Sequence, residues 1–401
     1  MPEQVKNLSI FDEPVDRRHT DCVKWDMVAR KYGNDHLIPL WIADMDFRLP
    51  KETRAALQKC VDFGVFGYTE CPDRVYHAIT SWLSERYRWT ISKEQLIMNH
   101  NVVSSISLAL RALTKPGDKV LISRPVYNPF FEQINQLQRI PVYSDLCLAD
   151  GRYTLDLADM ETKIKSENVR CLLICSPHNP GGIEWQREEL EGVLRLSNSY
   201  NLPIIADEIH ADLMLYGNTH TPLAQLNEAV RDRIVTLMSP TKTFNLAGIG
   251  PSYMIVFNEE LRQRITKEQQ LMVYPSINRF QIEALCASYY IGRNWLNELI
   301  PYIEKNIQLV KDKLACLPEL SVMKQDACYL VWIDYRALAV DEQEAEQAFI
   351  KAGVLPQMGS IYGANGAGFI RVNVASSWAI VAEGMNRIVS AFQSLKRTDS
   401  L

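Results

Sequence analysis

The sequence has no cysteine pair of the C-x-x-C type and no hydrophobic run long enough to cross a membrane. Its nine cysteines stand singly, several of them inside apolar runs, which predicts reduced core thiols rather than a disulfide framework or a zinc site. No apolar run approaches the roughly 18 residues of a membrane span. The first residues, MPEQVKNLSIFDEPVDRR, lack the apolar core of a signal peptide. We therefore expect a cytoplasmic protein without a membrane segment or a metal site.

The chain also lacks repeats, low-complexity segments and clusters of one charge. Its net charge is −5, and lysine and arginine are scattered along it, so a nucleic acid or an anionic membrane is not the expected partner. With 401 residues, 47% hydrophobic and 23% charged, the chain is long enough for a large core and two or more domains. A small molecule is the expected partner.

Short apolar runs alternate with longer helical stretches through the middle of the chain. Six such runs are predicted strands: 119–123, 140–144, 170–175, 202–207, 233–238 and 252–257. Most are apolar throughout, which is typical of strands buried on both faces of a parallel sheet. Residues 186–200 place leucines and a valine at helical spacing between two of them. This alternation predicts α/β architecture with a mainly parallel sheet.

The pattern changes near Ile291. Long helical stretches follow, then the strand-like run ACYLVWIDY (327–335) and a helix near 341–352. These elements predict a second, smaller α+β domain, with the boundary inside a helix that begins near Gly292.

The stretch SPTKTFNLAG places Lys242 shortly after the strand predicted over 233–238. In open α/β folds, ligands bind just beyond the carboxyl ends of the strands. Ser239 and Thr241 offer hydroxyls for an anionic group beside the lysine. A nucleophilic lysine forms a Schiff base with a carbonyl, and pyridoxal 5′-phosphate (PLP) carries both a carbonyl and a phosphate. The alternative is a solvated surface lysine, which is the commoner case.

PLP needs a carboxylate at its pyridine nitrogen and a polar group near its ring hydroxyl. Asp207 ends the predicted strand 202–207, and Asn179 in CSPHNPGG follows the strand 170–175. Each has an ordinary alternative, because an aspartate after a strand often caps a helix and Asn-Pro-Gly-Gly is good turn chemistry.

PLP also needs an anion cradle for its phosphate and an aromatic cover for its ring. The helix predicted over 103–113 offers free backbone N–H groups at its start, around Val103 and Ser104. Tyr127 in RPVYNPF follows the strand 119–123 and can cover the ring. The serine is equally an ordinary residue of a helix start, and the tyrosine an ordinary packing residue.

The order of these elements resembles that of the fold-type I PLP enzymes, the aspartate aminotransferase superfamily. The resemblance implies a PLP cofactor, a large domain with a mainly parallel central sheet over 50–291, and a small α+β domain formed by 1–49 together with 292–401. It is closer for the cystathionine β-lyase and cystalysin-like C–S lyases, often classed with class I and II aminotransferases. The matching blocks are 24–50, 66–70, 125–131, 175–182, 206–213, 239–248 and 368–375.

The family resemblance implies roles for further residues. Tyr68 in FGYTE would reach the phosphate held by the other subunit, so the active unit would be a homodimer with composite sites. Arg371 would grip the α-carboxylate of an amino-acid substrate, whereas the sequence alone favours a surface arginine at a strand end. The implied catalytic residues are Lys242, Tyr127 and Asp207. The implied cofactor-binding residues are Lys242, Asp207, Asn179, Tyr127, His210, Ser239, Val103, Ser104 and Tyr68, and the implied substrate-binding residues are Arg371, Asn179 and Ala43.

Departures from the aminotransferase pattern refine the assignment. Gly250 stands where many aminotransferases carry a phosphate-binding arginine, and His210 stands where many have a tyrosine; the lyase branch shares both features. Asn101, Ser104, Asn128 and the VNVASSW ending (372–378) depart from the usual pattern and leave the substrate preference open.

The resemblance implies α,β-elimination at an L-amino acid with a sulfur leaving group, giving pyruvate, ammonia and a thiol. Transamination uses the same residues and is the main alternative. A third alternative is a regulatory protein that keeps PLP for stability and acts by binding a transcription factor. No feature of the sequence indicates a surface for such a partner.

Overall fold

The computed structural model describes residues 9–272 and 277–398, and helices and strands alternate through most of them. The α-helices of this part are α1 Val23–Tyr32, α2 Lys51–Phe63, α3 Asp73–Tyr87, α4 Val102–Leu113, α5 Pro129–Gln136, α6 Leu157–Glu167, α7 Arg187–Tyr200, α8 Leu223–Leu226, α9 Glu259–Leu271, α10 Arg279–Ile291, α11 Arg293–Leu314, α12 Glu342–Ala352 and α13 Trp378–Thr398. Its strands are β1 Ile38–Leu40, β2 Leu96–Asn99, β3 Lys119–Arg124, β4 Ile140–Asp145, β5 Cys147–Ala149, β6 Arg152–Thr154, β7 Val169–Cys175, β8 Ile204–Asp207, β9 Ile234–Met238, β10 Ser252–Val256, β11 Ser321–Val322, β12 Leu330–Asp334, β13 Val354–Met358 and β14 Phe369–Asn373.

A seven-stranded sheet with the order β2-β10-β9-β8-β7-β3-β4 forms the centre of the molecule. The strands β4, β3, β7, β8 and β9 pair in parallel, whereas β10 is antiparallel to both of its neighbours. The predicted α/β architecture with a mainly parallel sheet is thus confirmed. All six predicted strands lie in this sheet, and their bounds differ by two residues or fewer.

Helices cover both faces of this sheet, which is why its central strands are apolar throughout. On one face α4 packs against β8, β9 and β10, and Ile106 lies in the same buried cluster as Ile205. On the other face, Ile204 and Val193 of α7 belong to a second buried cluster. Successive residues of β8 therefore enter opposite cores, as the strand period of two requires.

A five-stranded sheet with the order β1-β13-β14-β12-β11 draws on both ends of the chain. β1 pairs in parallel with β13, with Ile38 opposite Val354. The predicted strand within 327–335 is β12, and the predicted helix near 341–352 is α12. Gly292 separates α10 from α11.

Three general features of the described residues bear on function. No helix there has the length and apolar character needed to cross a bilayer. Nor do the described ranges bring three or more His, Cys, Asp or Glu side chains together in a way that could hold a metal ion. All nine cysteines fall within these ranges, and each is a free thiol.

Candidate active site

A cavity of about 210 Å³ lies at the carboxyl end of the parallel strands, where open α/β sheets bind ligands. Strand β7 ends at Cys175 and β8 at Asp207, and Lys242 follows the last residue of β9 by four positions. The cavity is lined by Ala43, Asn101, Val102, Val103, Tyr127, Cys175, Asn179, Asp207, Ile209, His210, Thr241, Lys242, Ala247 and Gly250.

Lys242 lies in the turn after β9 and points its amine at the carbonyl of a distant segment. Its Nζ donates to the Ala43 carbonyl at 2.6 Å. Burial lowers the pKa of Lys242, and the positive charge of Arg371 lowers it further, although the charge of Asp44 opposes both. The surroundings therefore favour a neutral amine, which is the form that acts as a nucleophile or base.

Asp207 is a buried carboxyl group at the end of β8. Burial raises its pKa to about 7, although the Ile209 N–H, 3.2 Å from Oδ1, and the charge of Lys242 both lower it. The hydrogen bond and the charge of Lys242 do not offset the loss of hydration of the ionised carboxylate, and a cationic ligand group would stabilise that ionised form.

Arg371 lies on β14 and is buried beside the cavity. One guanidinium nitrogen, Nη1, donates to Asn179 Oδ1 at 3.0 Å, and Nη2 donates to the Trp41 carbonyl at 2.7 Å. The guanidinium lies over the Tyr362 ring, 5.0 Å from its centroid. Its Nε is buried and has no hydrogen-bond partner among the described residues. Arg371 is therefore fixed in position with a donor left for an anion.

His210 and Tyr127 line the cavity as uncharged groups. Burial lowers the pKa of His210 to about 3, and its Nδ1 is buried with no hydrogen-bond partner in the part of the chain that the structure describes. Burial raises the pKa of Tyr127 to about 12. Near neutral pH these side chains offer the cavity a neutral imidazole and a neutral phenol.

The amino end of α4 faces the same cavity. Asn101 caps the helix, because its Oδ1 accepts from the Ser104 N–H at 2.8 Å. The N–H groups of Val102 and Val103 precede the first intrahelical hydrogen bond, from Ser105 N to Asn101 O, so they have no carbonyl partner within the helix. Both residues line the cavity, which makes this helix end suitable for an anion.

Four of the predicted site residues do not line the cavity: Ser104, Ser239, Tyr68 and Arg371. Ser104 Oγ donates to the Asn101 carbonyl at 2.9 Å. Ser239 Oγ donates to the Pro251 carbonyl at 2.7 Å, so its proton is already used, and Thr241 is the hydroxyl residue at the wall. Tyr68 is fully exposed.

Several residues at the site were missed by the sequence analysis. Cys175 ends β7 as Asp207 ends β8, so the same strand-end argument could have found it. Trp41 lies inside the matching block 24–50, but no local sequence pattern indicates a role for it. Tyr362 lies between β13 and β14, and no local signal connects it with Arg371.

The glycine at position 250 is required by the backbone. Its φ is +104°, and a Cβ atom there would lie 2.4 Å from the His100 carbonyl oxygen. The arginine that many aminotransferases carry at this point cannot be accommodated without moving the backbone.

The chain is similar to known proteins over most of its length. Residues 35–388 match the family described as aminotransferase class I and II. Cystathionine beta-lyase PatB of Bacillus subtilis (strain 168) is 38% identical over 383 residues, covering 95% of this chain and 99% of the relative. The structure of cystalysin from Treponema denticola, which contains a pyridoxal 5′-phosphate cofactor, has a TM-score of 0.93 at 34% identity, covering 96% of this chain and 99% of the other. The PLP-bound C–S lyase from Staphylococcus hominis has a TM-score of 0.89 at 31% identity, covering 95% and 97%.

Proposed function

The chain belongs to the class I and II aminotransferase family, and from this premise we propose that it is a PLP-dependent carbon–sulfur β-lyase acting on cystathionine or a related cysteine S-conjugate. The family resemblance and the aspartate aminotransferase-like fold predicted from the sequence are confirmed by the matches to PatB and cystalysin. The observation that carries the proposal is the cavity in which the Lys242 amine, the Asp207 carboxyl and the amino end of α4 lie together.

The residues present fit PLP. The buried Asp207 carboxyl calls for a cationic partner, which a protonated pyridine ring supplies. Within residues 9–272 and 277–398, the buried Nδ1 of His210 has no hydrogen-bond partner, and the first N–H groups of α4 have no carbonyl partner within the helix and can bind a phosphate. Lys242 provides the amine that binds the cofactor's carbonyl.

When bound, PLP supplies the electron sink that permits loss of the substrate Cα proton and departure of a thiolate from Cβ, with pyruvate and ammonia as the remaining products. Lys242, Asp207, Asn179 and Tyr127 would hold the cofactor, together with His210 and the α4 residue Val103, whereas the N–H and hydroxyl of Ser104 already donate to Asn101. Ser239 acts indirectly, by fixing the turn that carries Lys242.

Lys242 is the proposed base that removes the Cα proton. Its amine must be neutral for this role, and burial lowers its pKa in that direction. The carbonyl of Ala43, 2.6 Å from Nζ, restricts where the amine points. Orientation of this kind lowers the barrier because the reacting groups need not find each other.

Arg371 and Asn179 are proposed to orient the substrate. The free Nε of Arg371 and the remaining protons of its guanidinium suit a carboxylate. Asn179 holds Nη1 at 3.0 Å and the Trp41 carbonyl holds Nη2 at 2.7 Å, so the arginine does not need to reorganise when the substrate binds.

We further propose a homodimer with composite sites. Phe63, Val65, Phe66 and Tyr68 lie within one short stretch and are all more than half exposed, which is unusual for a surface that stays in water. Tyr68 is absent from the wall of its own cavity, and this supports a role at the phosphate of the other subunit.

The domain division predicted from the sequence, 50–291 against 1–49 with 292–401, also stays a proposal. The seven-stranded sheet falls within the first range and the five-stranded sheet within the second, and the break at Gly292 supports the boundary. Residues 1–8, 273–276 and 399–401 lie outside the described residues. Nine free thiols support a reducing compartment such as the cytoplasm.

The activity is tested by incubating the PLP-loaded protein with L-cystathionine, with and without a 2-oxo acid. Pyruvate formation in the absence of the oxo acid is the expected result, and Lys242→Ala is the negative control. Amino transfer that requires the oxo acid would replace the proposal by an aminotransferase. No reaction under either condition would contradict both activities.

A further inference from the structure

Residues 41–47, which we call the strap, form neither helix nor strand yet contact both ends of the proposed site. The Trp41 carbonyl accepts from Arg371 Nη2 at 2.7 Å, and the Ala43 carbonyl accepts from Lys242 Nζ at 2.6 Å. The position of the strap therefore affects the residue proposed to bind the carboxylate and the residue proposed to act as base.

One asparagine ties the strap to the strand that carries Arg371. Asn373 is fully buried two residues after Arg371, and its Nδ2 donates to the carbonyls of Ile42 and Asp44, at 2.6 Å each. Two carbonyls of the strap are thus hydrogen-bonded by a side chain rather than by the backbone of a helix or sheet.

A second asparagine ties the strap to the turn that carries Lys242. Asn245, three residues after the lysine, donates from Nδ2 to the carbonyls of Met45 at 2.9 Å and Phe47 at 2.8 Å. Its Oδ1 accepts from the Met45 N–H at 3.1 Å. The residue has φ +56°, a left-handed conformation that asparagine tolerates better than most residues.

The side chain of Asp46 anchors the strap from another direction. This buried carboxylate accepts from Lys24 Nζ at 2.7 Å, Arg17 Nη1 at 2.8 Å and Trp25 Nε1 at 3.0 Å. Tyr329 Oη also donates to the Ala43 carbonyl at 3.0 Å, so the asparagine contacts act together with this tyrosine in setting how the rest of the strap lies against the site.

We propose that Asn245 is a positioning residue of the enzyme: by fixing the strap through Met45 and Phe47, it holds the Ala43 carbonyl against Lys242 and the Trp41 carbonyl against Arg371. This inference rests on the proposed function, because it gives Asn245 importance only if Lys242 and Arg371 act on the substrate.

Two variants separate hydrogen bonding from shape. Asn245→Gly removes all three hydrogen bonds between this side chain and the strap without straining the left-handed backbone. Asn245→Asp keeps the size and the acceptor for the Met45 N–H, but it places a carboxylate oxygen against the carbonyls of Met45 and Phe47, which repel it. If Asn245 acts through hydrogen bonds, Asn245→Asp should have lower activity than Asn245→Gly. If the side chain only fills space, Asn245→Asp should have nearly normal activity and Asn245→Gly should have the lower activity.

The matched control is Asn201, an exposed asparagine at the end of α7 with φ +52°. Asn201→Gly and Asn201→Asp make the same chemical changes in the same backbone conformation, far along the chain from the strap. Thermal unfolding of all four variants shows whether each is folded. If Asn245→Asp does not fold, the comparison of Asn245→Gly with Asn201→Gly tests the proposal.

Two measurements are made on the full chain. The first is the KM and kcat for L-cystathionine; for Asn245→Gly we expect KM to rise and kcat to fall, by about tenfold each, because both ends of the site lose their fixed position. The second is the rate at which added PLP becomes covalently linked to the cofactor-free protein, followed by visible absorbance. This rate should fall by a similar factor, and more for Asn245→Asp.

The outcomes distinguish this inference from the proposed function. A wild-type protein that binds no PLP, or binds it and does not turn over, overturns the proposed function and with it the role of Asn245. A wild-type protein that is active, with Asn245 variants indistinguishable from the Asn201 variants, overturns the positioning role alone. Near-normal kinetics for Asn245→Asp with a defective Asn245→Gly would mean that the side chain only fills space.

Discussion

Burial acts in opposite directions on two ionisable residues of the same cavity. It raises the pKa of Asp207 to about 7 and lowers the pKa of Lys242, since in both cases the charged form loses hydration. Each group becomes easier to neutralise, which suits the proposed role of the lysine as a base and the proposed pairing of the carboxyl with a cationic ring. The chemistry of the site at residue scale follows from this one physical effect.

Replacing Lys242 should remove the covalent attachment of PLP. Borohydride reduction of the PLP-loaded protein followed by peptide mass spectrometry should place the phosphopyridoxyl group on Lys242 in the wild type and nowhere in Lys242→Ala. Lys267→Ala, on the exposed side of α9, is the control and should label normally. Labelling of another lysine in the wild type would show that the assignment is wrong.

Asp207→Asn should change how the stability of the cofactor-free protein depends on pH. In the wild type the folded pKa is raised from 3.8 to about 7, so between these values the unfolded carboxyl has lost its proton and the folded one keeps it. The free energy of unfolding should therefore fall as pH rises through this window, by roughly 1.4 kcal/mol per unit relative to Asp207→Asn, and level off above pH 7.

Denaturant titrations at pH 5, 6 and 7 measure this difference. Asp232→Asn, at an exposed position, controls for the loss of one carboxyl group. Equal pH dependence in wild type and Asp207→Asn would mean that the carboxyl is ionised in the folded protein despite its burial.

At the scale of elements, the turn between Lys242 and β10 has to pass close to the backbone at His100. Gly250→Ala should destabilise the protein by about 1–3 kcal/mol, because φ is +104° and the added Cβ would lie 2.4 Å from the His100 carbonyl oxygen. Gly248→Ala in the same turn meets no atom within 4 Å and should cost less than about 1 kcal/mol. Equal losses in unfolding free energy for the two variants would contradict this description of the turn.

The elements that could be predicted from the sequence are those whose signal is local. The runs that became β3, β4, β7, β8, β9 and β10 are apolar because helices cover both faces, so composition alone marks them. β1 has three residues and pairs with β13, more than 300 positions away. Its place depends on long-range pairing, which no local pattern carries, and the same holds for the reversed direction of β10.

The residues of the candidate site also fall into those that a local sequence pattern can predict and those that depend on long-range contacts. Asp207 ends β8 and Asn179 follows β7. Both strands are mainly apolar, so their ends can be predicted from the sequence, and ligands bind near such ends. Trp41 and Tyr362 join the site through long-range contacts with Arg371, so no local pattern could identify them. The strap lies within the matching block 24–50, but its attachment to Asn245 depends on side-chain geometry that only the fold provides.

For the whole molecule, the exposed position of Tyr68 makes the proposed dimer testable. If Tyr68 of the partner subunit completes each site, a heterodimer of Tyr68→Phe and Lys242→Ala chains has one site with both lesions and one with neither. Mixing the two variants should then give more activity than the average of the separate samples. The controls are that Tyr68→Phe alone is impaired and that subunits exchange. Given those, activity equal to the average would place Tyr68 outside the partner's site.

We propose that this chain breaks a carbon–sulfur bond of its substrate by elimination. The most direct measurement is the amount of thiol and of pyruvate released from L-cystathionine by the purified, PLP-loaded protein without any 2-oxo acid. We predict that the two products appear in equal amounts over many turnovers and that Lys242→Ala releases neither. Absence of thiol release from the wild type, or consumption of substrate that occurs only when a 2-oxo acid is added, would contradict the account.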